Sequence, residues 1–334
     1  MELAELEQRL KPFCEHHYDD AEARVSNVFA MPGHAGFAYG FTVHSAEITE
    51  SWFLRLPPPK VNWKGTADVL RQVQILGALD STTVPHCSVK WSGDDLQWFG
   101  RPYFIVPQLQ GDVIRIAPGD WAADLAIETQ TDMAKQIMTA LAAIHKVNWK
   151  VSTPNLGPPI PFDEDVTRWD RFLEKAADPE RLVEAPKVRD QLLANLPMDA
   201  PVGIFHGDFQ IANVFFSDDH KLLAVIDWEL VGVGATLNDV GWICTFSDPE
   251  AWARGEEQRP MFLDPDTLVR LYADAYGEPL PDLNWFRALA AYKFAIITGF
   301  NLSLHRRGKR HDPSWEVTKL SMTTLMDRAL KLLS

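Results

Sequence analysis

The sequence predicts an α+β chain in two parts, a small strand-rich part through about residue 110 and a larger, mostly helical part from 111 to 334. Three observations carry this. Strand-like runs cluster before residue 110, and one of them is closed by Pro57, Pro58 and Pro59, since proline cannot donate to a ladder. From Asp132 onward, MAKQIMTALAAIHKV repeats apolar residues at helical spacing. Finally, LNWFRALAAYKFAIITGFNLSLH is too long and too apolar for a strand and reads as a buried helix.

Element by element, the opening residues through about Tyr18 have helical periodicity. VSNVFAMPGHAGFAYGFTV then reads as two strands, and EITESWFLRL, residues 47–56, as a third. ADVLRQVQILGAL returns to helix, with Val69, Val73, Ile75 and Leu76 on its apolar side. RPYFIVPQLQG is a buried strand running into a connector at Pro107 to Gly111, where the two parts meet. Beyond the MAKQ helix, a Pro-rich loop leads to DVTRWDRFLEKA, read as one helix. Residues 202–229 read as a strand, a polar loop and a hairpin, and helices follow.

Composition narrows the function classes. Hydrophobic residues at 46% and charged residues at 23% match a globular chain and exclude disorder. The net charge of −14 argues against nucleic acid as a partner, because phosphate-backbone binders are basic. Cys14, Cys87 and Cys244 form no C-x-x-C pair, so neither a disulfide framework nor a cysteine zinc site is implied, and a reducing cytoplasm is expected. No run of about eighteen apolar residues suggests a membrane span. The chain is read as soluble, and no oligomeric state follows from its sequence.

The chemistry sits in His206-Gly207-Asp208-Phe209-Gln210-Ile211-Ala212-Asn213, followed by Ile226-Asp227-Trp228-Glu229. Phosphoryl transfer needs a carboxylate to orient the attacking hydroxyl and hard oxygen ligands to hold magnesium against nucleotide phosphates. Asp208, Asn213 and Asp227 are such a set. Asp208 and Asn213 are a loop's length apart, and the hairpin returns Asp227 beside Asn213.

These residues resemble the aminoglycoside phosphotransferase and choline kinase-like superfamily, whose signature is H-G-D-x-x-x-x-N followed by I-D-W/F-E. FLRLPPP is similar to its nucleotide-lobe strand, YFIVPQLQG to its hinge, LAAIHKVNW to the helix before its catalytic loop, TRWDRF to a lid-proximal helix and LNDV to its structural D-L-A segment. The spread most resembles the branch fused to acyl-CoA dehydrogenases in some animals. The resemblance implies a protein-kinase-like bilobal fold, with a nucleotide-binding lobe over 1–110 and a catalytic and substrate-binding lobe over 111–334. It implies Asp208 as catalytic base, Asn213 and Asp227 as Mg2+ ligands, His206 as a brace for the loop, ATP or GTP as donor and a small-molecule hydroxyl as acceptor.

Two positions depart from the pattern. The family's strand lysine and helix glutamate correspond here to Arg55 and Gln72. Arginine still reaches phosphates with its fork geometry, while an amide anchors it more weakly than a carboxylate. Gly33 and Gly36 lie where a nucleotide-covering turn belongs, and glycine lets backbone approach phosphate. No G-x-x-x-x-G-K-[ST] occurs, which excludes a P-loop NTPase.

Gln72 motivates the alternative, a pseudokinase that binds nucleotide or a partner without transfer. A third class, a metal-dependent phosphate hydrolase, conflicts with the hinge-like and lobe-like segments. His145 reads as a satisfied core histidine. Trp169, Trp228 and Trp242 read as core or pocket wall. The basic run His305 to His311 reads as a solvated loop, with an anionic substrate as its second reading.

Overall fold

The structure, a computed structural model, describes residues 1–31, 37–46, 48–115, 119–122, 124–253 and 262–334. The chain opens with α1 (Leu3–Tyr18), and β1 (Arg24–Ala30), β2 (Ala38–His44) and β3 (Thr49–Arg55) follow as a meander. Then come α2 (Val69–Leu79), β4 (Trp91–Gly93), α3 (Leu96–Phe99) and β5 (Tyr103–Pro107). The five strands form one antiparallel sheet in the order β1-β2-β3-β5-β4.

Strand alternation divides this sheet between two cores. Successive side chains of a strand point to opposite faces. Tyr103 and Ile105 of β5 therefore join Leu6, Leu10 and Phe13 of α1, together with Phe41, Trp52 and Leu54, in a small core. Phe104 and Val106 join Ile75, Leu76 and Leu79 of α2 in a much larger core that continues through the rest of the chain. Although α2 lies before residue 110, its apolar side belongs to the second core. Arg55 stands opposite Phe104 in the β3–β5 register, on the face of the larger core. Each fully buried aromatic here, such as Phe13 or Phe41, stabilises the fold by roughly 1.5–3 kcal/mol.

Beyond the sheet come β6 (Asp112–Val113), α4 (Ile127–His145), α5 (Trp149–Ser152), α6 (Phe162–Thr167), α7 (Asp170–Leu173) and α8 (Ala185–Ala194). β7 (Val202–Phe205), β8 (Val214–Phe216), β9 (Leu222–Val225) and β10 (Gly232–Ala235) follow. The chain ends in α9 (Asn238–Ser247), α10 (Pro265–Tyr276), α11 (Asn284–Arg306), α12 (Ser314–Thr318) and α13 (Met322–Leu332). β10 pairs with β7, while β8 lies between β6 and β9. The long apolar stretch is α11, buried along Phe286, Leu289, Tyr292, Ile296 and Leu302 as its composition predicts.

One element differs from expectation. DVTRWDRFLEKA is not a single helix but α6 and α7, separated by Arg168 and Trp169. The interruption is slight, since Arg168 and Trp169 both keep right-handed helical backbone angles. Both line a recess shared with α9 and α11, and Arg168 reaches back to Asp165 at 2.7 Å. Among the described residues the three cysteines are free. Burial pushes the Cys14 and Cys244 thiols up to about 12 and that of Cys87 to about 11, so none is a reactive thiolate. No helix among the described residues is long and apolar enough to cross a membrane.

Candidate active site

β7 is a short apolar strand, VGIF, whose end delivers His206 to the centre of the larger part. The loop that follows is tied down by one buried carboxylate. Asp239, in the first turn of α9, accepts from the His206 N–H at 2.6 Å and the Gly207 N–H at 2.8 Å. Its Oδ2 also lies 3.2 Å from Nε2 of His145, whose Nδ1 lies 2.7 Å from the Tyr272 hydroxyl. Burial alone would raise the Asp239 carboxyl, but the His145 hydrogen bond and charge, with the loop's N–H groups, hold it below the ordinary carboxylate range. His145 is thus the satisfied core histidine expected, and it also orients the anchor of the loop.

His206 braces the same loop from inside. Its Nε2 faces the Ile226 carbonyl at 2.9 Å and must donate, which leaves Nδ1 to accept the Asp208 N–H at 3.3 Å. The ring lies between Phe209 and Trp228, with centroids 5.8 and 4.6 Å away. Gly207 adopts φ +90°, and a Cβ there would lie 2.4 Å from the Leu230 carbonyl oxygen. Only glycine fits this turn.

Asp208 is half-buried, and three side chains hold it. Trp242 Nε1 donates to Oδ1 at 2.7 Å, Gln210 Nε2 is shared between both oxygens at 3.1 Å, and Asn213 Nδ2 donates to Oδ2 at 3.0 Å. Asn213 Nδ2 also reaches the Asp208 carbonyl at 2.8 Å. With its nitrogen so engaged, the Asn213 amide turns its oxygen away from Asp208. The β8–β9 hairpin pairs Val214 with Val225, and the Ile226 N–H donates to the Asn213 carbonyl at 2.9 Å. The hairpin therefore returns the backbone just before Asp227 to Asn213. Asp227 is exposed and sits in the left-handed region at φ 64°, a conformation costly for a non-glycine residue.

Arg55 finds its carboxylate away from α2. Its Nη2 donates to Glu229 Oε2 at 2.6 Å, joining β3 to the segment that carries Asp227. Burial and the neighbouring Asp227 charge push the Glu229 carboxyl up, against the pull of Arg55. Gln72 is buried on α2 and makes no hydrogen bond to Arg55 among the described residues. Gly33 and Gly36 lie outside the described residues.

No group of three His, Cys, Asp or Glu residues able to hold a metal occurs among the described residues. The expected ligand set is a pair, Asn213 and Asp227. Two hard oxygens would suit Mg2+, which is commonly bound through only one or two protein ligands.

The profile of the phosphotransferase enzyme family, which includes the aminoglycoside phosphotransferases, matches residues 39–289. The chain belongs to that family. Among curated proteins, it is 27% identical over 278 residues to the Arabidopsis thaliana protein named "Probable acyl-CoA dehydrogenase IBR3", covering 76% of this chain. It is 23% identical over 265 residues to human acyl-CoA dehydrogenase family member 11, covering 74% of this chain. Each match spans 33% of the relative's own length. Both relatives are named as acyl-CoA dehydrogenases, and the chain spans about a third of their length.

Solved structures show the same fold. A Ralstonia eutropha protein provisionally assigned to the aminoglycoside phosphotransferases superposes with a TM-score of 0.76 at 20% identity, covering 97% of this chain and 98% of that one. Aminoglycoside phosphotransferase APH(4)-Ia, in complex with ADP and hygromycin B, gives 0.60 at 12% identity, covering 97% of each chain. Macrolide 2'-phosphotransferase MphH from Brachybacterium faecium gives 0.57 at 17% identity, covering 96% and 98%. The fold is therefore that of the protein-kinase-like phosphotransferases.

Motif reading did not single out Glu229 as the partner of Arg55, nor Arg168 and Lys293 as lining residues of a recess beside Trp242. For Lys293 a signal was present. It is the lone cation within AAYKFAIITGF, a run otherwise suited to a core.

Proposed function

We propose that the protein transfers the γ-phosphate of ATP or GTP to a hydroxyl of a small molecule, with Mg2+ held by Asn213 and Asp227. The observation that carries this reading is the Asn213 amide. Its nitrogen is spent on Asp208, so its oxygen is the atom available to a cation beside Asp227. Magnesium, when bound, supplies positive charge that offsets the charge of the transferring phosphoryl group.

The chain's own residues supply the rest. Asp208 accepts the acceptor hydroxyl's proton and aims its oxygen for in-line attack. Gln210 Nε2 stands 3.1 Å from each carboxylate oxygen, the most distant of the three donors, and that side is the proposed entry for the substrate hydroxyl. Trp242 and Asn213 keep the carboxylate from rotating meanwhile. Arg55 steadies the nucleotide phosphates, with Glu229 fixing the direction of its guanidinium. The nucleotide lies between the sheet-bearing lobe through residue 110 and the remainder. Complexes of similar folds with ADP, AMP-PNP and hygromycin B support a nucleotide donor and a hydroxylated acceptor.

Calorimetric titration with ATP and with GTP, with and without Mg2+, tests the reading. Saturable binding that requires Mg2+ and is lost in Asp227→Asn is expected. Absence of binding by either nucleotide at millimolar concentration would remove the donor site and with it the proposed reaction.

A further inference from the structure

Trp242, whose indole N–H holds Asp208, is also one wall of a small, partly open recess. Asp165, Arg168, Trp169, Asn238 and Lys293 line it with Trp242. Its charges do not balance. Asp165 is buried and already committed, accepting from Asn238 Nδ2 at 2.6 Å and pairing with Arg168 Nη2 at 2.7 Å. Lys293 makes no ion pair or hydrogen bond among the described residues. Its ammonium instead sits between two indole faces, 4.2 Å from the Trp242 ring centroid and 5.4 Å from that of Trp169.

The donors do not balance either. Arg168 Nε and Trp169 Nε1 are buried without a hydrogen-bond partner, as are two acceptors of the same recess, Asp165 Oδ1 and Asn238 Oδ1. Buried donors are ordinarily paired; here the two, together with an ammonium that makes no ion pair, outnumber the two open acceptors, and that surplus is the complement of a ligand oxyanion.

We propose that this recess binds an oxyanion, a carboxylate or phosphate ester, carried by the molecule whose hydroxyl is phosphorylated. The proposal rests on the reading of Asp208 as the base that receives that hydroxyl. Trp242 links the two, since one edge fixes Asp208 while its face holds Lys293. An anion on Lys293, Arg168 Nε and Trp169 Nε1 thus tethers the acceptor beside the reacting carboxylate. A polycationic acceptor would place like charges against Lys293 and Arg168, with the recess carboxylate of Asp165 already paired to Arg168.

Burial and the Arg168 charge push the Lys293 ammonium down to about 8, against the opposing pull of Asp165, Asp208 and Asp239. The ammonium is charged below that value and neutral above it. Anion binding is therefore strong at pH 7 and fades as pH rises through about 8.

Matched probes test this on the intact protein through quenching of tryptophan fluorescence, without nucleotide. Glycerate, glycerol 3-phosphate and glycerol share a scaffold and differ in the oxyanion, and kanamycin supplies the polycation. The wild-type chain is expected to bind one of the two anions at least tenfold more tightly than glycerol or kanamycin, and which anion wins identifies the group. Lys293→Met should weaken that anion by about 10–100-fold, the loss of a charge-assisted contact, and Lys293→Arg should recover part of it. Glycerol or kanamycin binding as tightly as the anions, or an anion affinity indifferent to Lys293→Met, overturns the proposal. Anion binding of the expected kind with no ADP formed on adding Mg-ATP leaves the recess assigned and refutes the phosphotransfer reading instead.

Discussion

Asp208 is held by three donors from three places in the sequence, so its position outlasts the loss of its charge. Asp208→Asn should reduce turnover by about 10²–10⁴, the usual contribution of a general base, while the nucleotide dissociation constant changes little. Single-turnover ADP release alongside calorimetric nucleotide titration separates the two. A variant that loses nucleotide binding along with turnover would show that Asp208 serves the donor site and not the acceptor. Asp239 presents the opposite case, a carboxylate that touches no substrate. Asp239→Ala leaves the N–H groups of His206 and Gly207 and the His145 ring buried without their acceptor, and should cost about 3–5 kcal/mol in urea unfolding. Because its folded carboxyl is held below the ordinary value, its contribution is complete above the usual carboxylate range and is lost as pH falls below it. Wild type should therefore lose stability on acidification more steeply than Asp239→Asn. The polar residues of the loop were legible in sequence because H-G-D-x-x-x-x-N and I-D-W-E are contiguous. Lys293 and Arg168 were not, since their meaning depends on two helices and an interhelical break meeting Trp242 in space.

Between elements, the close approach of α9 and α11 sets the distance between Asp208 and the recess. Gly241 lies where a Cβ would meet the Phe286 carbonyl oxygen at 2.3 Å and the Arg287 nitrogen at 3.0 Å, both backbone atoms. Backbone cannot yield as a flexible side chain does, so Gly241→Ala must push the two helices apart. Overpacking of this kind costs about 1–3 kcal/mol. It should also separate Trp242, on α9, from Lys293, on α11, so thermal denaturation and acceptor affinity should fall together. A variant with lowered melting temperature and unaltered acceptor affinity would show that the interhelical distance does not govern the recess. Helical periodicity placed α11 correctly, yet it made one helix of α6 and α7. The pattern DVTRWDRF is compatible with a continuous helix, and the break is a two-residue turn at Arg168 and Trp169 whose backbone stays near helical angles.

Across the whole molecule, the two cores meet along a sheet whose β5 contributes Tyr103 and Ile105 to one and Phe104 and Val106 to the other. Proline clusters and the change of periodicity revealed a strand-rich beginning and a helical remainder. They did not reveal that α2 packs with the remainder, because an amphipathic stripe records that a face is buried and not against what. Arg55 shows what the arrangement achieves. It extends from β3 in the first part to Glu229, two residues past Asp227 in the second, so the proposed phosphate contact and metal ligand are bridged before any ligand arrives. A Mg-nucleotide engaging both sides would add a second bridge. At one hundred times its dissociation constant it should stabilise the folded state by about 2.7 kcal/mol. That stabilisation should be local in origin. Hydrogen exchange should slow at the β2–β3 amides and over the loop at residues 206–213, while α13, far along the chain and packed against α11, keeps its unliganded rate. Asp227→Asn should abolish the slowing in both segments together. If Mg-ATP protected the loop and left β2 and β3 unchanged, the nucleotide would contact the second part alone, and Arg55 would be a structural clasp without a phosphate to hold.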